Sequence, residues 1–128
     1  MSEQNKALLH RAIEAHNRHD MEALMAFATP DFVDHTRQGD VDLQTWVKNT
    51  RAFFAAFPDA HVTTEDMVVE RDIVAARYTA RGTHKGEFQG IAPTGKQVTW
   101  RTIAFYRLAG NKVAERWTVA DDVTQQLR

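Results

Sequence analysis

The chain has 128 residues, a formal net charge of -1, 43% hydrophobic and 26% charged residues, and no cysteine. That length fits one domain over residues 1–128 with a single core, and the composition excludes the disordered and membrane classes. No Lys/Arg cluster supplies the electrostatic footprint of nucleic-acid binding, and the lack of cysteine excludes disulfide and thiolate chemistry.

The opening "MSEQNKALLH" lacks the apolar stretch of a signal peptide, and runs such as "FFAAF" are too short to cross a bilayer, so a cytoplasmic protein without membrane association is expected. In "NKALLHRAIEAHNRH", Leu8, Leu9, Ala12, Ile13 and His16 recur at helical spacing, which predicts a first helix. "DMEALMAFATP" predicts a second, shorter helix stopped by Pro30. "DFVDHTRQGD" reads as a connection. "DLQTWVKNTRAFFAAFPD" then places Leu43, Trp46, Val47, Thr50, Phe53, Phe54 and Phe57 on one face of a third helix, with Asp42 as N-cap and Pro58 as stop.

From residue 60 the period becomes alternating. "HVTTEDMVVE", "DIVAARYTARGTH", "KQVTWRTIAFYRLA" and "KVAERWTVADD" predict four strands, with Glu70-Arg71-Asp72 and Gly110-Asn111 as tight turns. The loop "KGEFQGIAPTGK" separates the second of these strands from the third. Residues 60–122 are expected to form one curved antiparallel sheet and residues 5–58 three helices closing its concave side, with no helix beyond residue 75. Neither strand face is purely apolar or polar, so one face is expected to meet a polar-dotted cavity and the other a partner subunit. On the last strand Glu115, Trp117, Val119 and Asp121 share one side; Arg116, Thr118, Ala120 and Asp122 share the other.

"NRHDMEALMAFATPDFVDH", "FPD", "RYTARGTHKGEFQGIAPTGKQV" and "GNKVAERWTVADDVTQQL" together resemble, over nearly the whole chain, the SnoaL-like polyketide cyclases of the nuclear transport factor two-like superfamily. The resemblance implies an α+β fold in which a cone-shaped curved antiparallel sheet wraps around three N-terminal helices and encloses a pocket. It implies ring closure by intramolecular aldol condensation, or a related lyase or isomerase reaction, on a hydrophobic polycarbonyl or aromatic small molecule without metal or cofactor. A homodimer or homotetramer built through the sheet follows from the same likeness. The family's acid/base Asp, four residues after Trp, falls on Asp121.

An aldol closure needs a base for an acidic C–H proton and an acid for the carbonyl that becomes alkoxide, and one carboxylate serves both. With Trp117 and Val119 on its side of the strand, Asp121 is expected in an apolar pocket that raises its pKa. The family's assisting histidine on the preceding strand has no counterpart in "VTWRTIAFYRLAG"; Tyr106, Arg107 or His35 is the substitute donor. His84, where strand gives way to the glycine-bearing loop, is a candidate for the pocket rim. Trp46, Phe53, Phe54, Phe57, Trp100 and Trp117 are candidates to stack on a planar substrate, although aromatic stripes at helical spacing are more often the material of a core. His16 reads as a core histidine; His16 and His19, three apart without an HExxH pattern, give no zinc motif. The alternative to catalysis is a binding or protein-interaction module of the same fold.

Overall fold

The computed structural model describes residues 2–128. In chain order the elements are α1 (Ser2–Asn17), α2 (Met21–Met25), β1 (Ala28–Thr36), β2 (Gly39–Asp42), α3 (Leu43–Ala56), β3 (His61–Glu70), β4 (Ile73–Thr83), β5 (Gln97–Ala109), β6 (Lys112–Ala120) and α4 (Val123–Leu127). The α+β architecture is the expected one, with helices packed on a curved sheet and a pocket between them. The four strands anticipated after residue 60 stand where alternation placed them. Asp42 caps α3 by accepting the Thr45 N–H at 2.8 Å, an interaction that contributes about 1 kcal/mol.

Three features depart from expectation. The segment 28–42, read as the end of a helix and a connection, is the β1/β2 hairpin, because Phe32 and Asp34 alternate toward the interior and pair with a strand remote in sequence. The sheet therefore has six strands in the order β2-β1-β6-β5-β4-β3, and the β1/β6 pairing is parallel while the others are antiparallel. A helix also lies beyond residue 75. Asp122 accepts the Thr124 N–H to cap α4, whose Val123 and Leu127, four residues apart on one face, are buried. Five residues are too few to display a periodic stripe.

The apolar side of α1, carrying Leu8 and Leu9, packs with Phe32, Val74, Leu108 and Val113 into one core cluster. A second forms around the fully buried Phe57 with Ala80, Val98, Trp100, Val123 and Leu127. Loop 84–96 is tied to this second core: the Lys85 and Gly86 N–H groups donate to the Ala56 carbonyl, and a Cβ on Gly86 would lie 2.6 Å from the Ala55 oxygen. Between helices and sheet a space is left unfilled.

Candidate functional site

That space is a cavity of about 300 Å³ walled by α1 and α3 on one side and by the inner face of the sheet, with residues from all six strands, on the other. Its apolar lining comes from Ile13, Val41, Trp46, Phe53, Val62 and Trp100. Its ionisable groups are His16, Asp34, Tyr78, Tyr106 and Arg116. Asp34 and Arg116 stand opposite each other in the parallel β1/β6 ladder, so strand pairing itself brings the two charges together. The Arg116 guanidinium donates from Nη2 to Asp34 Oδ2, and the Thr118 hydroxyl donates to Asp34 Oδ1 at 2.8 Å. Asp34 is 4% exposed.

Burial pulls the Arg116 pKa down, but the hydrogen bond and charge of Asp34 outweigh it and the net displacement is upward. Among the described residues Arg116 Nε has no partner, and the guanidinium carbon lies 5.9 Å from the centre of the Trp46 ring. His16 is pushed down to about 4, chiefly by burial and then by the charge of Arg116, so the ring is neutral at pH 7; its Nδ1 is buried without a partner. The hydroxyls of Tyr78 and Tyr106 are hydrogen-bonded at 2.8 Å, and burial raises both phenols well above their usual range. The cavity thus holds one carboxylate, one guanidinium, a neutral imidazole and a phenol pair inside an aromatic shell.

Of the residues singled out from the sequence, Trp46, Phe53, Trp100 and Tyr106 line this cavity. Asp121, expected in an apolar pocket, is on the outward side of the sheet end, where its carboxylate accepts from the Arg101 backbone N–H and from Arg101 Nε, both at 2.9 Å. Its pKa is lowered, first by the hydrogen bond from the Arg101 side chain, the reverse of the expected direction. Register explains the reversal. Tyr106 faces Arg116, Ala104 faces Thr118 and Thr102 faces Ala120, so the inward side of β6 is the one carrying Arg116, and Trp117 and Val119 point out beside Phe105 and Ile103. Asp121 and Asp122 form part of a neighbouring depression of about 400 Å³ that shares Thr36, Phe53, Trp100, Thr118 and Ala120 with the cavity and so adjoins it.

His35 is also outside. Its ring stacks on Trp117 with centroids 5.2 Å apart, and its two nitrogens contact Asp40 at 2.8 Å and Glu115 at 2.7 Å. The hydrogen bond to Glu115, then that to Asp40, raises its pKa. Phe54 stacks on His19 at 4.2 Å and meets His16 edge-on, within the packing of α3 on α1. His84 is wholly buried against Phe57, with Nδ1 accepting the Thr94 N–H at 3.2 Å, and fixes the loop rather than the rim. Arg107, weighed as a donor, pairs with Glu115 at 2.8 Å on the outer face.

Sequence reasoning missed Asp34, Arg116, Thr118 and Tyr78, while His16, read as a core histidine, does turn inward and lines the cavity. Reading "DFVDH" as a strand would have put Asp34 on the side of Phe32 and inside. Among the described residues no group of three or more His, Cys, Asp or Glu side chains could hold a metal ion, and no helix is long and apolar enough to cross a membrane.

Comparison with known proteins gives concordant matches. A family model described as SnoaL-like polyketide cyclase matches residues 6–127. AclR from Streptomyces galilaeus, provisionally named a hydroxylase, is 32% identical with a TM-score of 0.93, covering 99% of this chain and 97% of its own. IdmH from Streptomyces antibioticus, provisionally named a polyketide cyclase, is also 32% identical, with a TM-score of 0.83 and 96% of each chain covered. A protein from Acidithiobacillus ferrooxidans, again provisionally a polyketide cyclase, is similar at 25% identity and TM-score 0.84, covering 98% of this chain and 94% of its own. A search of curated proteins returns no significant match.

Proposed function

Since the chain belongs to the SnoaL-like polyketide cyclase family, we propose that it closes a ring by intramolecular aldol addition on a hydrophobic polycarbonyl or aromatic small molecule, with Asp34 as the acid/base and Arg116 as the stabiliser of developing negative charge. The observation that carries this reading is the buried Asp34–Arg116 pair in the cavity wall. Asp34 takes a proton from the carbon between two carbonyls; the electron pair moves onto the carbonyl oxygen, which the Arg116 N–H groups meet as an enolate. The enolate carbon then attacks a second carbonyl, forming the C–C bond, and the resulting alkoxide takes the proton back from Asp34. The aromatic shell of Trp46, Phe53 and Trp100 excludes water and holds the chain folded.

A binding module is favoured by a different observation: both Asp34 oxygens already accept hydrogen bonds, as do both oxygens of Asp121. Turnover of aromatic poly-β-ketone esters separates the two readings. In Asp34→Asn, turnover falls on the order of a hundredfold while ligand affinity stays within a few-fold, the usual scale for a positioned acid-base group. Equal turnover in wild type and Asp34→Asn overturns the assignment, and loss confined to Asp121→Asn returns the role to the carboxylate in the adjoining depression. Absence of turnover beside tight binding leaves the module.

Assembly follows from the outer face. Val68, Ile103, Phe105, Trp117 and Val119 are exposed there, Ile103 at 51% and Val119 at 55%. A second copy seated sheet against sheet removes this apolar surface from water and makes a homodimer, or with a further contact a homotetramer.

A further inference from the structure

Behind the cavity, toward α2, lies a second chamber of about 70 Å³ walled by Leu9, Ala12, Leu24, Phe27, Phe32 and Val113. The two spaces share Ile13, His16, Trp46, Tyr106 and Arg116 in their linings, so these five residues stand at the boundary between them, the neck. The chamber is apolar throughout except at this neck, where Arg116 Nε and His16 Nδ1 are both buried without partners among the described residues. Unpartnered polar atoms in such a place cost free energy until something meets them.

We propose that the chamber is a specificity pocket for a short unbranched alkyl end of the substrate, with the adjoining ketone oxygen at the neck accepting from Arg116 Nε. Size sets the occupant: an apolar cavity of about 150 Å³ takes a benzene, and this chamber of about 70 Å³ has less than half that space, so it admits a short alkyl chain and no ring. The walls decide the chemistry, since they offer nothing to a hydroxyl or charge. Neutral His16 beside the neck leaves the ketone uncontested by a second cation. This inference rests on the reading of the main cavity as the place where a carbonyl substrate binds.

The test is a series of 2,4,6-trihydroxyphenyl ketones bearing methyl, ethyl, propyl and pentyl chains, titrated by calorimetry and by the fluorescence of Trp46 and Trp100. Affinity rises about fourfold per methylene up to propyl and stops rising at pentyl. Val113→Ala, which enlarges the chamber, moves the optimum to a longer chain; Ala12→Leu, which fills it, makes the longer ketones bind no better than the methyl ketone. Should the Ala12 variant fail to fold, Val113→Ala still decides. Flat affinity along the series, or the same gradient in wild type and Val113→Ala, overturns the pocket while leaving the cavity reading intact. If no ketone binds, both fall; if the gradient holds but Asp34→Asn keeps full turnover, only the catalytic reading falls.

Discussion

Arg116 and Asp34 are partners across a parallel ladder although 82 residues separate them, and each is the other's charge complement inside the protein. Removing one leaves the other buried and uncompensated, which costs about 3–5 kcal/mol, whereas replacing both by apolar groups of similar volume costs far less. Asp34→Ala is therefore expected to lose several kcal/mol in urea unfolding at fixed protein concentration, and Asp34→Leu combined with Arg116→Met to recover most of it. A double variant as unstable as the sum of its parts contradicts this account.

Asp121 gives a prediction of opposite sign to that of a carboxylate in an apolar pocket. Its folded pKa lies below the unfolded value because Arg101 holds the charged form. The stabilisation is therefore present above the unfolded pKa and is lost as pH falls through the folded one. Asp121→Asn melts lower than wild type at pH 7, and the gap closes as acid protonates the wild-type carboxylate. A variant that melts higher at pH 7 counts against the Arg101 pairing.

His35 titrates in the other direction. Its folded pKa is raised by the hydrogen bonds to Glu115 and Asp40, so what it contributes is full below the unfolded value of 6.5 and disappears as pH rises past the folded one. The melting-temperature difference between wild type and His35→Gln is expected to be larger at pH 6 than at pH 9. Thermal melts at the two pH values, with no change in the difference, count against the network.

Phe105 sits at 49% exposure opposite Trp117 in the β5/β6 ladder, in the middle of the outward apolar face. A carboxylate there would be desolvated in a sheet-to-sheet contact, so Phe105→Asp is expected to convert the proposed dimer to a monomer at micromolar concentration in multi-angle light scattering, with the fold kept by circular dichroism. Wild type running as a monomer removes the premise.

Periodicity carried most of the architecture because β3 to β6 are hairpin neighbours whose alternation is written locally. What it could not carry was the phase of β6. Trp117 and Val119 are more apolar than Arg116 and Thr118, so hydrophobicity alone turns the strand inside out; burial of Arg116 becomes acceptable only once Asp34 stands beside it, and that partner comes from a segment with a proline at its third position and a polar end. The inward side of Asp34 was legible in the alternation of "DFVDH" once that segment is taken as a strand, but its partnership with Arg116 was not, since it depends on a parallel pairing that no short window contains.

That pairing also sets an order of events. The β3 to β6 meander closes through two tight turns and loop 84–96, whereas β1 must find β6 across most of the chain, a contact whose larger loop-closure entropy has to be met before it contributes anything. The Asp34–Arg116 pair cannot form before β1 reaches β6. Under the proposed reading, any form of the chain that lacks this pairing lacks the acid/base and its guanidinium partner together, and the chemistry waits on the last strand.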